Sequence, residues 1–165
     1  MSLRSCFPFG NTIATNYLGF GLAKANGLNP FITEVSAVNF DQLWQAEQTN
    51  FNPNQDPDVI QVNLVFGVES VDEVQTYLSY DGANAVNGGT SAQGRQATAE
   101  FTPSVFEFAC PEGGGAAILL VGSDPQLALT SWPPAADTED VTAPVTYEVY
   151  EPGNPQQIWS FTFVN

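Results

Sequence analysis

Large apolar residues recur at every second position from Ile60 to Phe66, with Ile60, Val62, Leu64 and Phe66 separated by Gln61, Asn63 and Val65. A period of two puts all four on one pleat face, so the segment predicts a strand. Val74, Thr76, Leu78 and Tyr80 repeat that period and run into Asp81-Gly82, a hairpin-type turn. Ser70-Val71-Asp72-Glu73 has the spacing of a helix capping box, but the β-branched and aromatic residues that follow favour a strand over 70–80. Further strands are predicted at Gln96 to Phe101, across Phe106, Phe108 and Cys110, and at Ala116 to Val121 after a reversal through Pro111-Glu112-Gly113-Gly114-Gly115. The last hairpin is predicted to pair Val145, Tyr147 and Val149 with Trp159, Phe161 and Phe163 across the turn 151–157, which would place the aromatic row in the core.

Elsewhere the pattern is broken. Phe40, Leu43, Trp44 and Glu47 have the spacing of one short helix over Asn39–Thr49, capped by Asn39 or Asp41 and stopped by Pro53. Residues 50–58, 81–94 and 124–142 are rich in Asn, Asp, Gly and Pro and read as surface loops. Residues 1–31 interleave Phe7, Phe9, Tyr17, Phe20 and Phe31 with four glycines and hold neither period, as expected of an irregular arm docked on its own sheet or on a neighbouring copy. The pattern therefore predicts an all-β chain: an antiparallel β-sandwich or jelly roll over 32–165, an N-terminal arm over 1–31, and at most one or two short helices. A β-barrel or an α+β fold stays open.

Charge narrows the function. Eighteen Asp and Glu face three Lys and Arg with no His, a net charge of -15. Nucleic acid is excluded as a partner because Arg4, Lys24 and Arg95 cannot build a basic surface. Without His, neither a Ser-His-Asp nor a Cys-His nucleophile can form, and zinc or copper would lack ligands. Charged residues are only 13% of the chain while hydrophobic ones reach 43%, which argues for a packed core rather than a disordered acidic tail. No apolar run approaches a spanning helix, and no signal peptide is recognisable at the start, so membrane insertion is not expected. Cys6 and Cys110 lie beside Phe-rich stretches and read equally as a disulfide or as two buried thiols.

Three kinds of chemistry remain. Asp137, Glu139 and Asp140 in one loop, and Asp56 and Asp58 in another, offer the clustered oxygens that calcium needs, although neither has EF-hand spacing. Calcium is thus the one cofactor the sequence accommodates, and a solvated acidic loop is the plainer reading. Glu100, Glu107 and Glu148 are the carboxylates an acid/base enzyme acting without His would use. Trp132, before Pro133-Pro134 in a loop, is the aromatic residue best placed to stack on a sugar.

The scarcity of charge adds a fourth consideration, because a surface of Asn, Gln, Thr, Gly and aromatics is easily buried at interfaces. The first expectation is accordingly a non-catalytic, self-associating structural subunit of a larger assembly such as a virion, filament or surface layer, extracellular or at a virion surface, with copies of itself as partners. The second is a carbohydrate-binding, lectin-like protein with glycans as partners. A carboxylate enzyme is the third.

Overall fold

The computed structural model describes residues 10–24, 30–33, 42–49, 61–66, 75–80, 94–134 and 143–163. They form thirteen strands: β1 (Thr12–Thr15), β2 (Gly21–Ala23), β3 (Phe31–Thr33), β4 (Trp44–Gln48), β5 (Gln61–Phe66), β6 (Tyr77–Ser79), β7 (Arg95–Gln96), β8 (Thr98–Glu100), β9 (Phe106–Ala109), β10 (Ala117–Leu120), β11 (Leu127–Ser131), β12 (Ala143–Val149) and β13 (Ser160–Phe163). Pro155–Gln157 makes one 3₁₀ turn, capped by Asn154, whose side chain accepts from the Gln156 N–H. Every ladder between strands is antiparallel, so the class expected from the sequence is the class observed.

The ladders close on themselves. β1 pairs with β4, β4 with β5, β5 with β9 and β9 with β10. The ring is completed by β13 on β1 and by a bridge between Ala116 and Trp159, whose two backbone bonds are both 2.8 Å. Six strands thus enclose a barrel, the arrangement left open beside the sandwich. Three hairpins, β2–β3, β6–β8 and β11–β12, project from it. They are tied together where β3 and β7 both pair with β12. The chain therefore runs through three similar units, β1–β4, β5–β9 and β10–β13, in a β-trefoil-like arrangement.

One ladder position shows why the units are similar. In each unit the first barrel strand meets the last at a large aromatic residue: Thr12 opposite Trp44, Val62 opposite Phe106, and Ala116 opposite Trp159. All six are buried, and the two indoles donate to equivalent carbonyls, Trp44 Nε1 to Leu22 O at 2.9 Å and Trp159 Nε1 to Leu129 O at 3.0 Å. A small or β-branched residue opposite each ring leaves the volume that the ring fills, so that six short strands can close around it.

Several expectations change. Residues 12–23, assigned to an arm, are β1 and β2 of the barrel and its first hairpin, so the boundary at 31/32 marks no break among the described residues. The helix over Asn39–Thr49 is not formed where described: Trp44–Gln48 is strand, because its five residues pair with Val62–Phe66 and a ladder outweighs a weak helical spacing. The stretch 124–142, read as loop, contains β11, whose burial on both faces leaves no alternation to find. The closing hairpin is not a pair either. β12 pairs with β11, β3 and β7, whereas β13 pairs with β1. Trp159 is core as expected, but Phe161 is only partly buried and Phe163 is 59% exposed.

Cys110 is disulfide-bonded, and Cys6 is the only other cysteine in the chain. No helix among the described residues is long and apolar enough to cross a membrane.

The core also holds an ionisable group. Tyr147, 2% exposed, donates its hydroxyl to Ser79 O at 3.0 Å and stacks on Phe106. Burial pushes its phenol well above the ordinary 10.0, and the nearby Tyr80 phenol adds to the shift. The unfolded chain therefore releases this proton first. The stabilisation is fully present below pH 10.0 and is lost as pH rises toward the folded value. Tyr147→Phe is expected to cost about 1 kcal/mol at pH 7, since Ser79 O keeps its bond from Thr98 Oγ1. It should also flatten the alkaline fall in stability. Urea unfolding of both proteins at pH 7 and pH 11 checks this, and parallel curves would refute it.

Candidate functional site

Between the second and third units lies an open cleft of about 680 Å³, whose walls include Tyr80, Ser104, Leu120, Ser123, Asp124 and Leu127. Each side is fixed by a different piece of the fold. Tyr80 follows β6, and its backbone N–H donates to Ser104 Oγ at 2.9 Å. Its ring meets Tyr147 edge-on, with centroids 5.3 Å apart, so the wall rests on the core. Opposite, the turn from β10 to β11 is pinned by Ser123. Its hydroxyl donates to Leu120 O at 2.8 Å and accepts from Leu127 N–H at 2.9 Å, and Gln126 Nε2 also donates to Leu120 O at 2.8 Å. That turn holds Asp124 at the rim, exposed and with no hydrogen bond among the described residues.

The cleft borders the one unit that departs from the repeat. Two positions before the aromatic residue of the ladder stand Gln42, Ser104 and Gln157. Gln42 and Gln157 are each 1% exposed, whereas Ser104 is half-buried. Gln157 shows what a glutamine does there: Oε1 accepts from the Glu151 N–H at 2.8 Å, and Nε2 donates to Val149 O at 3.0 Å and to Thr130 Oγ1 at 3.2 Å. Ser104 accepts instead from the Tyr80 N–H, just after the first strand of its hairpin, with a much shorter side chain. A serine hydroxyl can donate as well as accept, so Ser104 keeps a donor for a ligand. A phenol ring, a hydroxyl and a carboxylate without a hydrogen bond among the described residues, around an open space, form a set that can stack on an apolar ring face and bond its hydroxyls.

The residues singled out from sequence fall elsewhere. Trp132 follows β11 at the end away from the cleft, about 16 Å off along five strand residues. Its indole is half-buried and its N–H donates to Thr146 Oγ1 at 2.7 Å. The Thr146 hydroxyl donates in turn to Glu148 Oε2 at 2.6 Å, which also accepts from Gly94 N–H at 2.6 Å. This relay anchors β7 on β12, and a side chain at Gly94 would collide with Tyr147 O. Trp132 thus has a polar edge already committed and only its ring face to offer. Glu107 accepts from Gln61 Nε2 at 3.2 Å, Glu148 serves the relay, and Glu100 sits on β8; none of the three lines the cleft. Asp56, Asp58, Asp137, Glu139 and Asp140, the expected calcium ligands, lie outside the described residues. Among the described residues no group of three or more acidic or cysteine side chains could hold a metal ion.

Sequence reasoning missed Tyr80, Ser104 and Asp124. The available signal was Gln42-Leu43-Trp44 recurring as Gln157-Ile158-Trp159, an internal repeat that a search for a fixed period passes over because the units differ in length. Once those two are aligned, Ser104-Val105-Phe106 is the odd unit.

No protein-family model matches the sequence, and a comparison with curated protein sequences gives no match. Among solved structures the fold is similar to that of the Rhizoctonia solani agglutinin, with a TM-score of 0.63 over 94% of this chain and 95% of that one, at 18% identity. At that identity the likeness concerns the fold.

Proposed function

We propose that the protein is a non-catalytic, carbohydrate-binding domain that takes a saccharide in the cleft between Tyr80 and Asp124. The observation that carries this reading is the cleft itself, which sets an aromatic ring, a serine hydroxyl with its proton still to donate and a carboxylate with no hydrogen bond among the described residues on rigid supports. Sugars need that combination, because their ring faces are apolar and their edges carry paired donors and acceptors. The fold neighbour is named an agglutinin, which favours glycan binding over an assembly subunit, a reading to which the comparisons lend no support. The disulfide at Cys110 fits an oxidising, extracellular setting.

The test is a glycan array probed with the wild type, Tyr80→Leu and Trp132→Ala, with circular dichroism to verify folding. Loss of ring stacking is worth about 0.5–1.5 kcal/mol, so Tyr80→Leu should weaken binding by about twofold to tenfold while Trp132→Ala binds as before. A wild type that binds no glycan, or a Trp132→Ala that alone loses binding, refutes the cleft as the site.

A further inference from the structure

Resting on the glycan-binding reading, we propose that the cleft selects saccharides carrying a free, protonated amine over their acetylated, neutral or acidic counterparts. Among the described residues the titratable side chains in its walls are Tyr80 and Asp124, and no lysine or arginine lines it. Asp124 is exposed, and its carboxylate makes no hydrogen bond among the described residues. A carboxylate held at the rim by a pinned turn can bond a neutral hydroxyl, but it bonds an ammonium group more strongly, since a charge-assisted bond is roughly twice as strong as a neutral one. The Tyr80 ring facing the same space can add attraction for a cation over its face. The whole chain acts in the same sense. At net charge -15 its field draws cations toward the surface and repels uronic, sialic or sulfated sugars within about a Debye length.

Geometry separates the local contribution from the diffuse one. Glu112 is also an exposed carboxylate, but it lies in the turn between β9 and β10, at the far end of β10 from the cleft. Asp124→Asn and Glu112→Gln therefore change the net charge by the same amount and differ only in which carboxylate is removed. Both positions are exposed, so both variants should fold.

The experiment is calorimetric titration at pH 6 and low salt with the glucosamine disaccharide, its N,N′-diacetyl form and a glucuronate-terminated disaccharide. At pH 6 an amino sugar carries its proton. The wild type is expected to bind the amine about tenfold more tightly than the diacetyl form and the acidic sugar least. Asp124→Asn should bring the ratio of amine to diacetyl binding close to one, whereas Glu112→Gln keeps it. Raising the pH to 9 should remove the wild-type preference by deprotonating the ligand.

Equal wild-type affinity for amine and diacetyl forms overturns this inference alone and leaves glycan binding standing. An equal fall in the ratio for both variants also overturns it, since the diffuse field would then be responsible. Failure of the wild type to bind any saccharide overturns this inference and the glycan-binding reading together.

Discussion

Trp159→Ala is expected to remove a large share of the protein's stability, the most of any single aromatic truncation. The indole is fully buried, its N–H donates to Leu129 O at 3.0 Å, and it stands at the seam where β10 meets β13 and closes the barrel. Removing such a ring typically costs about 3–5 kcal/mol, and leaving Leu129 O without its donor adds to that, against a total stability of about 5–15 kcal/mol. The neighbouring aromatics give the internal scale. Phe161, partly buried and edge-on to Phe108 at 5.6 Å, should cost about half as much, and Phe163, 59% exposed, almost nothing. Thermal unfolding of the three alanine variants side by side checks the ranking. A Trp159→Ala protein that melts with the wild type would mean that the seam is not where the barrel is held.

That ranking also shows what the sequence made legible. Alternation alone points to Val62, Leu64 and Phe66, Phe106 and Phe108, and Val145 and Tyr147 as core, and all seven are buried, whereas Val149, the third residue of the last row, is 52% exposed. A period of two reports which face a residue takes within its own strand. It carries no information about which strand lies alongside, and for that reason the pattern pairs β12 with β13, adjacent in sequence, whereas their partners include β11 and β1. The same limit applies to β1. Thr12, Ile13 and Ala14 are buried without alternating, because the strand has neighbours on both edges and both of its faces are covered.

The candidate site was less legible still. Tyr80, Ser104 and Asp124 come from three segments that the sequence places 20 or more positions apart, and each looks ordinary in its local window. What brings them together is the three-fold repetition of a ladder position, and its signature is two short motifs 115 positions apart, Gln42 to Gln157. By contrast, Trp132 drew attention because an aromatic residue before two prolines in a loop suggests exposure, and that cue has no access to the Thr146 hydroxyl that captures its N–H.

Gln157→Glu should be the second most damaging single change, and its cost should depend on pH. The wild-type amide uses both ends: Oε1 accepts from Glu151 N–H, and Nε2 donates to Val149 O and Thr130 Oγ1, with the side chain 1% exposed. A carboxylate keeps the first bond, but it turns a second acceptor toward the Val149 carbonyl and has no donor for it. An uncompensated buried charge costs about 3–5 kcal/mol. Protonation restores a donor, so the carboxyl introduced at this buried position prefers its neutral form, and its folded-state pKa lies above the unfolded value of about 4.3. The sign follows from that order: the neutral form is available to both states below about pH 4.3, and as pH rises toward the folded value the unfolded chain ionises first and gains stability relative to the fold. The gap in unfolding free energy between wild type and Gln157→Glu should therefore be small at pH 4 and widen toward pH 7.5. Gln157→Leu is the reference, since it leaves Glu151 N–H and Val149 O unpaired at every pH and should show a gap of about 2–3 kcal/mol that does not move. Equal gaps for Gln157→Glu at the two pH values would show that the amide's donor end contributes nothing, and the glutamine would then be holding the turn at residues 149–151 through its carbonyl alone.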